Sequence, residues 1–382
     1  MSEWPMVKLK ELMRKTKSID PGKYPDEEFA LYSIPAYDNG IPEKIFGRDI
    51  GSSKILLKDS DVVLSKIVPH IRRTWVITDG EKQIGSSEWI VFNDDRFDPQ
   101  FIANYLKSDV FHYQLLTTVA GVGGSLNRAR PAAVAELKIP LPPLGEQKRI
   151  AEILGKTAGA ISSVQKQIEQ AKKLRSSIVG MASKMAVELR AISEYFDINP
   201  RQPRNIPDNA PTSFVPMANL DETFGISPIA SRFSEHKKGY TYFENGDILL
   251  AKITPCFENG KSAIAKLSTQ IGHGSTEFHV LRHKNHMHQD ACLSPLLAAA
   301  ILKQPSFLKP AENFMRGSAG QKRIPVSYIA SLKVPVLKSV DLEKIDQSLE
   351  IVEALLNLYH RKLSLLQELQ KSLANRAFAG LL

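Results

Sequence analysis

Two long stretches of the chain place apolar residues at alternating intervals of three and four, a pattern typical of one face of a long helix. Residues 146–184 carry this stripe at Ile150, Leu154, Ile161, Val164, Ile168, Ala171, Leu174 and Ile178. The C-terminal stretch carries it at Ile345, Leu349, Val352, Leu356, Tyr359, Leu363, Leu366, Leu369 and Leu373. Neither stretch contains proline. We predict two helices of roughly 50–60 Å each, at about 1.5 Å per residue.

The matched length and register of the two stripes favour an antiparallel pair in which each helix buries its stripe against the other. Such a pair would be a rigid spacer between two domains. The alternative is that each stripe packs on its own domain, as most amphipathic helices do.

The segments outside these helices contain short runs of β-branched and aromatic residues separated by Gly, Asp and Pro, which predicts strands. The predicted strands are 54–57, 61–68, 75–78 and 88–92 in the first half and 247–253, 262–267 and 277–281 in the second. A short helix follows in each half, at 100–116 and 295–303. The fold class expected is α+β, with a twisted sheet in each half.

Three blocks of the first half recur in the second half in the same order. Residues 61–69 recur as 247–255, with Asp, Leu, Lys, Ile and Pro in identical places. The later matches are 85–89 with 274–278 and 137–141 with 332–336, so the offset grows from 186 to 189 and 195. Loop insertions explain this drift. We predict two homologous domains, 1–145 and 187–340, each followed by a helix, 146–186 and 341–382.

The overall charge favours a polyanionic partner. Fifty Lys and Arg against 41 Asp and Glu give a net charge of +9, which suits binding to phosphates with release of counterions. The start of the chain lacks the apolar core of a signal peptide and there are only two cysteines, so a cytoplasmic location is expected. The most apolar stretch, 293–302, is too short for a membrane span, and no membrane insertion is expected.

Glycine-rich basic loops at 121–130 and 316–323 occupy the same place in both repeats. Small residues let a backbone approach a phosphate, and Arg, Asn and Gln form paired hydrogen bonds with base edges; a solvated turn is the alternative. Lysines at strand ends could reach phosphates or cover an apolar edge, and hydroxyls at strand starts could contact bases or cap turns. The candidate DNA-contacting residues are Lys66, Arg72, Arg73, Ser86, Ser87, Ser125, Asn127, Arg128, Arg130, Lys252, Lys261, Ser275, Thr276, Arg316, Ser318, Gln321, Lys322 and Arg323.

Motifs for catalysis are missing from the sequence. The one Asn-Pro pair, Asn199-Pro200, is followed by Arg201, so it does not form the loop used in adenine methylation. Residues 259–262 resemble the end of a phosphate-binding loop, but Pro255 stands where its first glycine is required. His279, His283, His286, His288 and Cys292 are the one candidate metal cluster; their spacing fits no standard zinc site, and a solvated loop is favoured. We expect no catalytic residues and no metal.

The segment 139–150, Ile-Pro-Leu-Pro-Pro-Leu-Gly-Glu-Gln-Lys-Arg-Ile, resembles the start of the conserved helix in type I restriction-modification specificity subunits. With the repeat, the resemblance covers essentially the whole chain. It implies two target-recognition domains that each read one half of a bipartite asymmetric DNA site, and two antiparallel helices that set the gap. The second copy departs from this pattern at 338–345.

The resemblance also implies partners. Two modification (methyltransferase) subunits would dock on the helices, and restriction/translocase subunits would join them. These partners would carry S-adenosylmethionine, ATP and Mg, and this chain would hold no cofactor. A coiled-coil scaffold, a stand-alone DNA-binding module of another defence system and a self-contained nuclease are the alternatives.

Overall fold

The computed structural model describes residues 4–78, 80–120, 127–220, 226–236, 238–284, 291–318 and 320–382. The fold is mixed α/β and divides into two compact units. Unit 1 is Met1–Ser162 with Ser364–Leu382, and unit 2 is Ser163–Leu363. Each unit therefore contains a part of both long helices.

Unit 1 contains twelve strands in its described part. They are β1 (Met6–Lys8), β2 (Ser18–Ile19), β3 (Glu28–Tyr32), β4 (Glu43–Phe46), β5 (Lys54–Leu56), β6 (Val62–Ser65), β7 (Thr74–Val76), β8 (Gln83–Gly85), β9 (Trp89–Phe92), β10 (Val119–Ala120), β11 (Arg128–Ala129) and β12 (Lys138–Pro140). Its helices are α1 (Ile34–Asn39), α2 (Pro99–Lys107), α3 (Asp109–Leu116), α4 (Pro131–Glu136) and the first part of α5 (Leu144–Met185).

The strands of unit 1 form two main sheets. One has the order β2-β5-β8-β3-β4, with β3 and β8 parallel, and the other is the antiparallel sheet β7-β6-β9. The short pairs β1-β12 and β10-β11 complete the unit. The largest apolar cluster lies where α2, α3 and the start of α5 cover the β6-β9 sheet, and its fully buried members include Phe92, Phe101 and Phe111.

Unit 2 contains ten strands in its described part. They are β13 (Glu188–Ala191), β14 (Phe196–Ile198), β15 (Pro211–Val215), β16 (Ile229–Arg232), β17 (Thr241–Glu244), β18 (Ile248–Ala251), β19 (Ser262–Ile264), β20 (Ile271–Gly274), β21 (Phe278–His283) and β22 (Lys333–Val336). Its helices are α6 (Ile192–Tyr195), α7 (Phe233–His236), α8 (Pro295–Leu302), α9 (Pro305–Ala311), α10 (Val326–Ala330) and most of α11 (Ser339–Phe378).

Strand pairings of unit 1 recur in unit 2. The sheet β14-β21-β18-β19 contains three antiparallel strands, β19-β18-β21, that correspond in chain order to β7-β6-β9. The sheet β16-β15-β20-β17 contains the parallel pair β15-β20, which corresponds to β3-β8. The pair β13-β22, like β1-β12, brings the start of the globular segment beside its last strand.

Each strand predicted from the sequence overlaps an observed strand, but the bounds differ. Strands β6, β18 and β19 end earlier than expected, at Ser65, Ala251 and Ile264, whereas β21 continues to His283. The helix expected at 100–116 is two helices, because the Ser108 Oγ accepts the Phe111 N–H at 3.2 Å and begins α3. The sheets that contain β3 and β15 were not predicted. The long helices begin two residues before the predicted bounds, at Leu144 and Ser339.

The predicted stripes on the long helices are buried in part. In unit 1, Ile150 and Leu154 share a cluster with Phe101 and with Phe378 at the end of α11, so this end of α5 also packs on its own domain. The buried stripe residues of unit 2 are Val164, Ile168, Ala171 and Ile178 on α5 and Ile345, Leu349, Val352 and Leu356 on α11. Ile161, Tyr359, Leu363 and Leu366 are half-buried. Leu174 and Leu369 are 49% and 47% exposed, which differs from the stripe prediction.

Within the described residues, none of the helices combines the length and the apolar character that a membrane crossing requires.

Candidate DNA-recognition surface

In unit 1, the end of β6 joins a turn on one side to a hairpin on the other. Lys66 follows β6 directly; its N–H donates to the Glu88 carbonyl at 2.9 Å, and its carbonyl accepts the Ala129 N–H at 2.8 Å. Two residues later, the Val68 N–H donates to the Asn127 carbonyl at 3.1 Å. Both sides of Lys66 are thus fixed by backbone hydrogen bonds, and its side chain is half-buried.

Unit 2 builds the same arrangement from the matching residues. Lys252 follows β18; its N–H donates to the Glu277 carbonyl at 2.9 Å, and its carbonyl accepts the Ile324 N–H at 2.9 Å. The Thr254 N–H donates to the Lys322 carbonyl at 3.0 Å. The strand end, the turn and the hairpin therefore meet in the same way in both units.

A glutamate from the turn faces an arginine from the hairpin in each unit. The Glu277 Oε1 and Oε2 lie 2.8 and 2.9 Å from the Arg323 Nη2 and Nε. In unit 1 the Glu88 Oε1 lies 3.5 Å from the Arg128 Nη2, a single longer contact. The Arg323 guanidinium holds the pKa of the Glu277 carboxyl below its ordinary value. Neither glutamate is among the candidates predicted from the sequence, although both occupy the same place in the repeated block.

The hydroxyls at the strand starts divide into two kinds. The Oγ of Ser86 and that of Ser275 each accept the N–H of the residue two positions later at 3.2 Å, so both cap the turn. Ser87 and Thr276, which stand between them and the glutamates, are exposed. The second pair is therefore the pair open to a ligand.

The glycine-rich loop of unit 2 is a tight hairpin. Arg316 and Arg323 exchange backbone hydrogen bonds of 2.9 and 2.8 Å. Gly317 has φ +132°, and a Cβ there would lie 2.6 Å from the Gln321 carbonyl oxygen, so the position requires glycine. The candidate residues with exposed side chains in this hairpin are Arg316, Ser318, Gln321 and Lys322.

The loop of unit 1 connects β10 and β11, in which Ala120 pairs with Arg128. Residues 121–126, which include Ser125, lie outside the described residues. Arg128 and Arg130 are exposed and Asn127 is half-buried. The described part of this loop thus presents its basic residues beside the Lys66 strand end.

Two other candidates, Arg72 and Arg73, bind carboxylates of the protein itself, and a third, Lys261, is half-buried. The Arg72 Nη1 lies 2.6 Å from the Asp109 Oδ1. The Arg73 Nε and Nη2 each lie 2.8 Å from an oxygen of Asp38, whose pKa this contact lowers. The Arg73 side chain is only 10% exposed. Lys261 is half-buried, and its carbonyl accepts the Ala251 N–H at 2.9 Å. Arg72 and Arg73 are therefore engaged by carboxylates in unit 1.

Three of the five candidate metal ligands, His279, His283 and Cys292, lie among the described residues. The Nε2 of buried His279 lies 2.9 Å from the Ile324 carbonyl oxygen, and its Nδ1 lies 3.2 Å from the Asn199 Nδ2. Burial lowers the pKa of His279. His286 and His288 lie outside the described residues. In the part of the chain that is described, no three His, Cys, Asp or Glu side chains are grouped to hold a metal ion. His279 instead forms a hydrogen bond with the backbone of the hairpin at Ile324.

The comparisons with known proteins agree on one class, the DNA specificity proteins of type I restriction-modification systems. Residues 1–173 match the family model of the type I restriction modification DNA specificity domain. The chain is 41% identical over 147 residues to the type I restriction enzyme EcoEI specificity subunit of Escherichia coli, a match that covers 38% of this chain. That match spans about a quarter, 24%, of the length of the relative.

Solved structures show the same fold over nearly the whole chain. The type I restriction-modification S subunit from M. genitalium is 13% identical with a TM-score of 0.60, and the match covers 98% of this chain and 96% of that one. A chain from a structure of type I restriction-modification assembly and conformational transition is 21% identical with a TM-score of 0.52, covering 100% and 99%. Residues 1–173 match the specificity-domain family, and this match agrees with the resemblance to type I specificity subunits inferred from the sequence.

Proposed function

We propose that this chain is the DNA sequence-specificity subunit of a type I restriction-modification complex and has no catalysis of its own. The observation that carries the proposal is the double occurrence of one arrangement: a lysine at a strand end, an exposed hydroxyl in a turn, and a basic hairpin joined to that strand end by backbone hydrogen bonds. Rigid elements that hold exposed hydrogen-bond donors beside a basic loop suit both base edges and phosphates.

Because the arrangement occurs once in each unit, the chain has two DNA-recognition sites. Units 1 and 2 each contribute one target-recognition domain, and each domain reads one half of a bipartite asymmetric site. Because the candidate residues of the two hairpins differ, with Asn127, Arg128 and Arg130 in one and Arg316, Gln321 and Lys322 in the other, the two half-sites differ in sequence.

The long helices α5 and α11 form an antiparallel pair that sets the gap between the half-sites and docks the partners. Two modification (methyltransferase) subunits and the restriction/translocase subunits supply S-adenosylmethionine chemistry and ATP- and Mg-dependent action in the cytoplasm. This chain determines which DNA sequence the complex recognises.

The decisive experiment is methylation-sensitive sequencing of DNA from cells that carry this chain with its modification subunit. A bipartite motif with a fixed gap is expected. Exchange of the segment 188–338 for that of a relative should change one half of the motif and leave the other half intact. Methylation without sequence preference, or a change in both halves together, would contradict the proposal.

A second measurement separates the alternatives. The complex of this chain with its modification subunits should bind duplex containing the motif with an affinity that falls steeply with salt. Metal-dependent cleavage by the purified chain alone would instead support a nuclease. Failure to co-purify with a methyltransferase would support a scaffold or a stand-alone DNA-binding module.

A further inference from the structure

The ion pair of Glu277 with Arg323 leaves the end of the guanidinium available. The carboxylate binds the side edge, through Nε at 2.9 Å and Nη2 at 2.8 Å. The Nη1 lies 3.1 Å from the Gln321 carbonyl oxygen. A guanidinium carries five N–H bonds. Three of them have partners among the described residues, and one N–H on each of Nη1 and Nη2 has no partner there.

The two remaining N–H bonds equal in number the acceptors on the major-groove edge of a guanine. Guanine presents the acceptors O6 and N7 side by side in the major groove, and an arginine that donates to both is the commonest specific contact with DNA. The Arg323 side chain is 41% exposed, whereas Glu277 is 23% exposed. The arginine is thus the member of the pair that a ligand would reach first.

Both residues are attached to fixed backbone. The Glu277 N–H donates to the Ser275 Oγ at 3.2 Å, and Arg323 has both its N–H and its carbonyl in hydrogen bonds with Arg316. An arginine held at its side edge between two fixed segments loses little side-chain freedom on binding, which strengthens discrimination between bases.

The carboxylate also disfavours a phosphate as the ligand. Glu277 neutralises most of the charge of Arg323 at short range, and its own negative charge would repel a phosphate oxygen placed beside it. A base edge is uncharged and suffers no such repulsion. The pair therefore suits reading of a base more than attachment to the DNA backbone.

We propose that Glu277 is a positioning residue that holds Arg323 for bidentate recognition of a guanine in the half-site read by unit 2. The proposal rests on the function proposed above. The corresponding pair of unit 1, Glu88 with Arg128, makes one contact of 3.5 Å, so Arg128 is less restrained and discriminates less strongly at its position.

The test compares methylation motifs in cells that carry the wild-type complex and the variants Glu277→Gln, Arg323→Lys and Glu277→Asp. Wild type should show a guanine at one fixed position of one half-site. Glu277→Gln and Arg323→Lys should relax that position alone, raising methylation of sites with another base there by at least about five-fold relative to the motif. Glu277→Asp, which keeps the carboxylate, should relax it less.

Glu88→Gln is the matched control, and any effect it has should fall in the other half-site. A wild-type motif that both Glu277→Gln and Arg323→Lys leave unchanged would overturn this inference while the proposed function stands. A second outcome would also overturn this inference. If Glu277→Gln lowered methylation equally at all sequences while Glu277→Asp kept wild-type methylation, Glu277 would only stabilise the fold. Absence of any bipartite motif in wild type would overturn the proposed function and this inference with it.

Discussion

The carboxylate of Asp247 lies against the guanidinium of Arg282, with Oδ2 2.7 Å from Nη2. Asp247 is 3% exposed and also accepts the N–H of Glu244 at 2.7 Å. Asp61, the matching residue of unit 1, is fully buried and is bound by the Nε and Nη2 of Arg14. The aspartate that begins the repeated block therefore anchors the strand that leads to the candidate recognition surface in each unit.

Asp247→Asn should lower the free energy of unfolding of unit 2 by about 1–3 kcal/mol. Removal of one partner of a buried ion pair leaves the other charge poorly compensated, and the partial exposure of Arg282 together with its bond to the Glu244 Oε1 at 2.6 Å limits the loss. Urea unfolding followed by fluorescence measures it. Glu152→Gln is the control, because the Glu152–Lys156 pair is exposed and such surface pairs contribute little to stability. Equal effects of the two changes would contradict this assignment.

Asp346 provides a pH-dependent contribution to stability. Burial raises the pKa of its carboxyl, an effect that the charge of Glu350 increases and the hydrogen bond from the Ser294 Oγ at 2.7 Å opposes. A carboxyl with a raised pKa in the folded state favours folding fully below its unfolded pKa, and this contribution is lost as the pH rises through the raised value. Asp346→Asn keeps an oxygen that can accept from Ser294 and removes the titration.

The variant Asp346→Asn should therefore match wild type near pH 3, below the ordinary carboxyl pKa of 3.8, and be more stable at pH 7, by under about 1 kcal/mol because the site is partly exposed. Urea midpoints measured from pH 3 to pH 7 give the comparison. Glu350→Gln should reduce the pH dependence of wild type, since it removes a charge that raises the pKa of Asp346. A variant that is less stable than wild type only at pH 7 would reverse the assigned sign.

Local sequence identity was enough to find the strand ends but not their partners. The repeated block correctly located β6 and β18, because a buried strand followed by Lys and Pro is a continuous signal. The contact of Glu277 with Arg323 joins residues 46 apart, and that of Arg73 with Asp38 joins residues 35 apart. One sequence contains no signal for such pairs, so Arg73 looked free and Glu277 was overlooked.

Periodicity predicted the long helices well and their buried faces less well. A heptad stripe assumes one partner along the whole helix, whereas α5 meets the domain core of unit 1 at Ile150 and Leu154. Leu174 and Leu369 continue the stripe in sequence but are about half exposed. The second sheet of each unit was missed for a related reason: the segment that forms β15, Pro211–Val215, has polar residues at Thr212 and Ser213 that are buried.

Phe378, the last residue of α11, should be needed for the stability of unit 1. Its ring packs edge-on against Phe101 at 5.8 Å and Tyr105 at 5.1 Å between centroids, and it is 8% exposed. Phe378→Ala should lower the free energy of unfolding by about 2–4 kcal/mol, since it opens a cavity between aromatic rings. Leu365→Ala, on an exposed part of the same helix, is the control and should change it by under about 0.5 kcal/mol. Similar urea midpoints for the two variants would show that the end of α11 does not close this core.

Gly317→Ala should damage recognition of one half-site more than it damages the fold. Its φ of +132° is a conformation that L-residues rarely adopt, and the added Cβ would lie 2.6 Å from the Gln321 carbonyl oxygen, so the hairpin that carries Arg323 must shift. Gly320→Ala is the matched control: its φ is +83° and a Cβ there has no atom within 4 Å, so it should cost only about 1–2 kcal/mol locally.

Both changes lie in an exposed hairpin and should move the global unfolding midpoint little. Methylation-sensitive sequencing should show weakened selection in one half of the motif for Gly317→Ala and near wild-type selection for Gly320→Ala. Loss of selection in both halves, or equal loss for the two variants, would mean that the shape of this hairpin does not determine which bases unit 2 reads.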